Sequence, residues 1–265
     1  MRIASLLVLA GLAVSAPTAA FPVSATVPQT CPAAGDIPAS LAKATSASSF
    51  RTREGKEIRL AGVIGPGEDG QDLSVAEAAA ARSALESFLS GRRLMLANVS
   101  GSDRYRRITA EVFADGEQVQ GAMLRRGLLR VAPERSAGAC LTTLLSAEQE
   151  AASKMTGHWG DGNFRIRTPE QVTGRAGKFE IVQGEVWRAR SITGRNLIEF
   201  ASASSFELIV SAEVARLLRQ NGVDVRRLRG KVLRVRGWIG LEAKPEMELL
   251  QPQALQVIAR PARRR

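Results

Sequence analysis

The sequence predicts a mainly β chain with helices, an α+β protein of two five-stranded barrels in tandem behind an N-terminal signal peptide. Three observations lead there. The chain has 265 residues, and the portion after the leader is long enough to bury two small cores. Short alternating runs of apolar and polar residues, punctuated by glycine and proline, recur in both halves around a few helical patterns. The charge is uneven: residues 175–265 hold 18 Lys and Arg against 9 Asp and Glu, whereas residues 1–174 hold 19 against 17, so the C-terminal third carries +9 of the net +11. A separate basic unit accounts for that step, and it points to a polyanionic partner such as nucleic acid or an anionic envelope polymer.

At the start, Met1-Arg2 precedes the apolar run Ile3 to Val14, and Ser15, Ala16, Ala19 and Ala20 come next. That is the pattern of a secretory signal peptide. The run is 12 residues long, short of the roughly 20 a spanning helix needs. Cleavage after Ala20 or after Ala25 fits equally, so residues 1–25 are assigned to signal and leader and residues 26–40 to a Pro-rich N-terminal segment. The expectation is an exported protein, periplasmic or secreted, with no transmembrane segment once the signal is removed. Cys31 and Cys140 are the two cysteines, and an even pair in an exported chain is a candidate disulfide. Two free thiols are the alternative, because spacing alone does not establish proximity.

The first unit spans 41–162. Phe50, Thr52 and Glu54 alternate with Arg51 and Arg53, Gly55 supplies the turn, and Ile58, Leu60 and Gly62 alternate with Arg59 and Ala61, which makes a hairpin leading into the proline-glycine loop before Glu68. Ser74 caps a helix with Glu77 in its first turn; the helix runs to about Leu89 and stops at Gly91. Arg92 to Val99 and Ile108 to Phe113 read as strands, Asp115-Gly116 as a turn, Glu117 to Arg126 as a short helix, Leu128 to Val131 as a strand, and Cys140 to Met155 as an amphipathic helix running into GHWG. This is the order of a five-stranded OB-type barrel with helices outside. His158, the single histidine, reads as a packing or capping residue.

Residues 163–176 are polar and contain Pro and Gly, the composition of a linker. The second unit, 177–259, opens with strands over Lys178 to Arg190, Arg195 to Phe200 and Phe206 to Val210. A helix capped by Ser211 comes next, and strands over Lys231 to Ile239 and Glu246 to Leu250 complete the unit. Three strands, a helix and two strands is again the OB order. In KVLRVRGWI the period of two puts Arg234, Arg236 and Trp238 on one face and Leu233, Val235 and Ile239 on the other. Guanidinium groups beside an aromatic ring suit single-stranded nucleic acid, and Arg188, Arg190 and Arg195 cluster at the first strand turn. Residues 260–265 form a basic tail.

Several strings of the first unit resemble the thermonuclease (staphylococcal-nuclease-like) family. REGKEIRLAGVIGP is similar to that family's hairpin and RLxGIDAPE core, DRYRR to its DxYGR, MLRRGLLRV to its LVRxGLARV, and the helix ending in HWG to its AExxARxxxxGLWG. The resemblance implies that Arg59 and Arg107 stand where the family has its two catalytic arginines and Tyr105 where a tyrosine lies beside the nucleotide. It also implies a lost calcium site. Ser46, Ser48 and Ile64 fall at three aspartate positions, and Gly65 and Gly67 at the next metal-site position and the general-base glutamate. Ca2+ takes about six to eight oxygen ligands, largely carboxylate, which these side chains do not supply. A slip of one residue would bring Glu68 into the glutamate's place. The second unit resembles, more loosely, the nucleic-acid-binding OB modules that accompany some exported members.

The expected function is therefore binding of nucleic acid or another polyanion by an exported, catalytically inactive thermonuclease-like protein, with no cofactor. One alternative is a divergent phosphodiesterase built on Arg59, Arg107 and Glu68. Another is an envelope protein that binds a partner through its barrel surfaces.

Overall fold

A computed structural model describes residues 31–71, 74–101, 107–133, 140–200, 206–241 and 244–258. The signal-peptide reading, residues 26–30 of the Pro-rich segment, Tyr105 and the basic tail lie outside the described residues. The described chain is mixed α+β, mostly sheet, with four α-helices. Among the described residues no helix is long and apolar enough to cross a membrane.

The first unit is built on β1 (Ile37–Ala39), β2 (Leu41–Ala44), β3 (Ser49–Thr52), β4 (Glu57–Leu60), β6 (Leu94–Ala97) and β7 (Arg107–Ala114). The sheet order is β1-β6-β7-β4-β3-β2. Only Ser40 separates β1 from β2, so the path returns to its own beginning. The contact between β4 and β7 is parallel, and the others in this path are antiparallel. Gly55 takes a positive φ of 80° at the tight turn between β3 and β4, where a side chain would be strained. The short pair β5 (Val63–Ile64) and β9 (Arg130–Val131) lies beside this path, and β8 (Glu117–Gln118) pairs antiparallel with the end of β7.

Helix α1 (Val75–Leu89) starts where its local signals place it: the Ser74 hydroxyl accepts from the Glu77 amide while the Glu77 carboxylate accepts from the Ser74 amide. Helices α2 (Val119–Arg125) and α3 (Leu141–Ser153) complete the unit. Phe50, Leu60, Leu85, Val112, Leu124 and Leu141 belong to its core.

The second unit comprises β11 (Phe179–Ile192), β12 (Arg195–Phe200), β13 (Glu207–Ser211), α4 (Ala212–Gln220), β14 (Val232–Leu241) and β15 (Pro245–Glu248). Pairings run β11-β12-β13-β15-β14 and return through β14 to β11, with β13 and β15 parallel. The Ser211 hydroxyl accepts from the Val214 amide, the N-cap expected from sequence. Two strands go beyond the sequence reading: β10 (Ile166–Arg167), parallel to β11, and β16 (Leu255–Ile258), antiparallel to β14. The stretch 163–176, read as a linker, holds β10 and a 3-10 turn over Pro169–Val172, with Val172 fully buried in the core of this unit.

A polar seam joins the two units. Arg130 donates to the Asp69 carboxylate at 2.5 Å, both side chains buried, and its guanidinium lies over the rings of Phe164 and Phe179 at 4.9 and 5.2 Å. The Phe179 amide donates to the Asp69 carbonyl at 2.8 Å. Buried Glu180 accepts from Arg167 and Arg175 at 2.8 and 2.7 Å and from Gln71 at 3.3 Å. Further along, Arg236 of β14 donates to Glu148 of α3 at 2.5 Å, and the second oxygen of Glu148 accepts from the Val131 amide at 2.7 Å. Charges this deep persist because each has an opposite charge and hydrogen bonds that replace part of its water, although Nε of Arg130 and of Arg236 is buried without a partner among the described residues.

Candidate nucleic-acid interface

The loop after the hairpin folds back on itself through Glu68. Its carboxylate accepts from the Ser46 hydroxyl at 2.5 Å, the Ser48 hydroxyl at 2.6 Å and the Gly65 amide at 3.1 Å. The two serines at expected metal-ligand positions are therefore brought to Glu68, the one acid that a slipped register would supply. A cavity of about 470 Å3 opens beside them, lined by Ser46, Glu68, Gln71 and Arg82 among others. The neighbouring acid, Asp69, is held by Arg130. Ile64 offers no ligand atom, and it is buried in a small cluster with Ala132 and Phe179. Among the described residues Cys31, Glu111 and Cys140 also lie together, and the two sulfurs are joined to each other in a disulfide, as expected.

Arg59 and Arg107 come together. Strands β4 and β7 pair with Glu57 opposite Arg107 and Arg59 opposite Thr109, so both arginines project from one face of neighbouring strands, one pleat apart. Both are half-buried. Arg59 also lines a narrow slot of about 80 Å3 with Ile64, Pro133, Phe179, Trp238 and Leu250. Residues of both units thus wall the cavity beside this arginine.

The face Arg234-Arg236-Trp238 is the correction the structure makes. The alternation holds, since Leu233, Val235 and Ile239 are buried in the core of the second unit. The opposite face is not free, because α3 of the first unit lies against it. Arg236 is 3% exposed and bound to Glu148, and Arg234 donates to Gln183 and to Gln149 of α3. Trp238 is 45% exposed, with its ring edge-on to Phe179 at 6.0 Å. A period of two fixes which side chains share a face; it does not reveal what covers that face.

Arg188, Arg190 and Arg195 do gather on the hairpin of β11 and β12, with Arg188 opposite Glu199 and Arg195 opposite Ile192. Arg188 and Arg190 both bind Glu199, at 2.7 and 2.8 Å. Burial pushes the Glu199 carboxyl up, but the hydrogen bonds and charges of these two arginines outweigh it and hold it below the ordinary carboxylate range. Arg190 also reaches Glu207 at 3.5 Å, which Lys244 pairs at 2.5 Å, so three cations face two carboxylates and leave one positive charge, to which Arg195 adds.

Sequence reasoning missed Trp187, which is 53% exposed with the Arg188 guanidinium 4.9 Å from its ring centroid. The register of β11 shifts between Val186 and Arg188, so Trp187 and Arg188 both escape burial despite being neighbours. Also missed were the acids of the seam. One signal was present: Glu148 sits on the apolar stripe of α3 with Leu141, Leu144 and Ala151, where an unpartnered carboxylate would be costly.

Residues 57–161 match the model of the family described as staphylococcal nuclease homologue. The matched domain is an OB-fold, and the match points to nuclease-related nucleic-acid binding. A comparison of the chain with curated proteins finds no match.

Proposed function

We propose that this protein binds nucleic acid, or a polyanion of like charge density, without hydrolysing it, and that it does so outside the cytoplasm. The observation that carries the reading is the exposed Trp187–Arg188 pair beside Arg190 and Arg195. A ring offers a stacking surface for an unpaired base, and guanidiniums offer charge for the backbone. The return of β14 to β11 supports reading the second unit as an OB-type barrel, a fold whose strand surfaces and loops accept oligonucleotides.

Absence of hydrolysis is argued from Glu68. Its oxygens are engaged by Ser46, Ser48 and the Gly65 amide, the three expected aspartate positions supply two hydroxyls and an isoleucine, and the neighbouring Asp69 is held by Arg130. In-line attack on phosphate then lacks both charge neutralisation and an activated water on that side. The same geometry favours one rival, a phosphodiesterase with Glu68 as its base.

A salt-titrated binding assay with single-stranded DNA, duplex DNA and RNA, with calcium-dependent cleavage scored on the same samples, separates these readings. Binding that weakens steeply with salt and no cleavage is the expected result. Chelator-sensitive turnover that disappears in Glu68→Ala would establish the rival. Absence of binding at low salt would remove the nucleic-acid reading altogether.

A further inference from the structure

Glu111 is a buried carboxyl that nothing in the polyanion reading uses. It is 1% exposed, and its Oε2 lies 2.7 Å from Cys140 Sγ and 4.0 Å from Cys31 Sγ. Among the described residues, the side-chain groups that face it are the Asn98 carboxamide after β6, at 3.4 Å, the Gln118 carboxamide at the start of α2, and the two sulfurs. None of these carries a charge while the disulfide is closed.

The two sulfurs are unlike. Cys31 is half-buried, whereas Cys140 is fully buried and occupies the N-cap of the 13-residue helix α3 without using its side chain to cap. A helix N-terminus stabilises a thiolate, so of the two sulfurs Cys140 is the better leaving group. Exposure makes Cys31 the reachable one. Burial raises the Glu111 carboxyl above its ordinary range, against the hydrogen bonds from Asn98 and Gln118, so the acid form persists to higher pH than on the surface.

We propose that Cys31–Cys140 is a thiol-exchange site, in which an incoming thiolate attacks Cys31 and Glu111 delivers a proton to the departing Cys140 sulfur. The thiolate bonds to Cys31 Sγ, and the bond between the two cysteines breaks with its electron pair on Cys140 Sγ. The Glu111 carboxylic acid passes its proton to that sulfur and becomes a carboxylate. A second thiolate, from a dithiol or another thiol molecule, displaces Cys31 and leaves with the first as an oxidised disulfide. In the reverse direction Glu111 takes the proton from Cys140 as the bridge forms. The substrate class is a small dithiol or a protein thiol, and the result is reversible release of the segment around Cys31 from α3.

The test is the rate of reduction of the oxidised full chain by dithiothreitol, followed by acid quench, alkylation and mass measurement, with each rate divided by the thiolate concentration at that pH. The wild-type normalised rate should fall as pH rises through the Glu111 pKa. Glu111→Gln should give a flat profile, slower than wild type on the acid side by roughly a hundredfold or more, the low end of general-acid effects. Reduced glutathione should leave its mixed disulfide on Cys31. A flat wild-type profile, which decides the matter even if the variant fails to fold, would overturn the proposal. So would a Glu111→Gln profile matching wild type, or a mixed disulfide found on Cys140.

Discussion

Arg236 of β14 and Glu148 of α3 form an ion pair at 2.5 Å across the seam between the two units, with their side chains 2% and 5% exposed. They lie 88 residues apart in the chain. Each ion's desolvation is offset by the other, by the Val131 amide on Glu148 and by the Gln256 side chain on Arg236.

Removing either partner alone should therefore be costly. Arg236→Ala or Glu148→Ala leaves a buried charge unpaired, and we expect a loss of about 3–5 kcal/mol of stability from each. The double replacement Arg236→Met with Glu148→Leu should cost much less than the two single changes added together. Denaturant unfolding of all three variants measures this. Additive losses would mean that the two charges do not depend on each other in solution.

Trp187 and Trp238 should part company in binding assays. Trp187→Ala is expected to weaken single-stranded nucleic acid by about 1–3 kcal/mol with little effect on duplex, and to leave the melting temperature near wild type, because the ring is largely exposed. Trp238→Ala removes the edge contact with Phe179 at the seam and should lower the melting temperature while affecting every ligand alike. Equal loss of single-strand and duplex binding by Trp187→Ala would argue against stacking.

Stability should also depend on the charge of Glu111. Its folded pKa is raised above the ordinary value of 4.5, mainly by burial. The folded state therefore holds the proton more tightly than the unfolded state. The stabilisation this brings is complete below the unfolded pKa and is lost as pH rises through the folded one. Glu111→Gln, which cannot ionise, should gain on wild type in melting temperature as pH is raised from 4 toward neutral. Paired melting curves across that range test the sign, and a gap that shrinks with rising pH would contradict it.

What the sequence by itself determined is whatever depends on residues near one another in the chain. The capping box of Ser74 and Glu77, the turn at Gly55, the Ser211 cap and the alternation in KVLRVRGWI each involve a few consecutive residues, and each stands in the structure where the pattern puts it. The strands read over Lys178 to Leu250 recur in the second unit, whereas in the first unit β1 and β2 fall in a stretch not read as strand, and the strand at Leu128 to Val131 pairs with β5 outside the main sheet. The pairing of Cys31 with Cys140 was legible as a possibility because there were two cysteines and no others.

Only the tertiary structure decided what lies against each exposed-looking face. Packing of α3 against β14 turned Arg236 from a surface cation into half of a buried ion pair. The fold of the loop after the hairpin set Glu68 against Ser46 and Ser48. A one-residue bulge exposed Trp187 together with Arg188. These outcomes rest on desolvation and on contacts between segments up to about a hundred residues apart, and residue spacing carries no record of which distant surface will displace water from a given side chain.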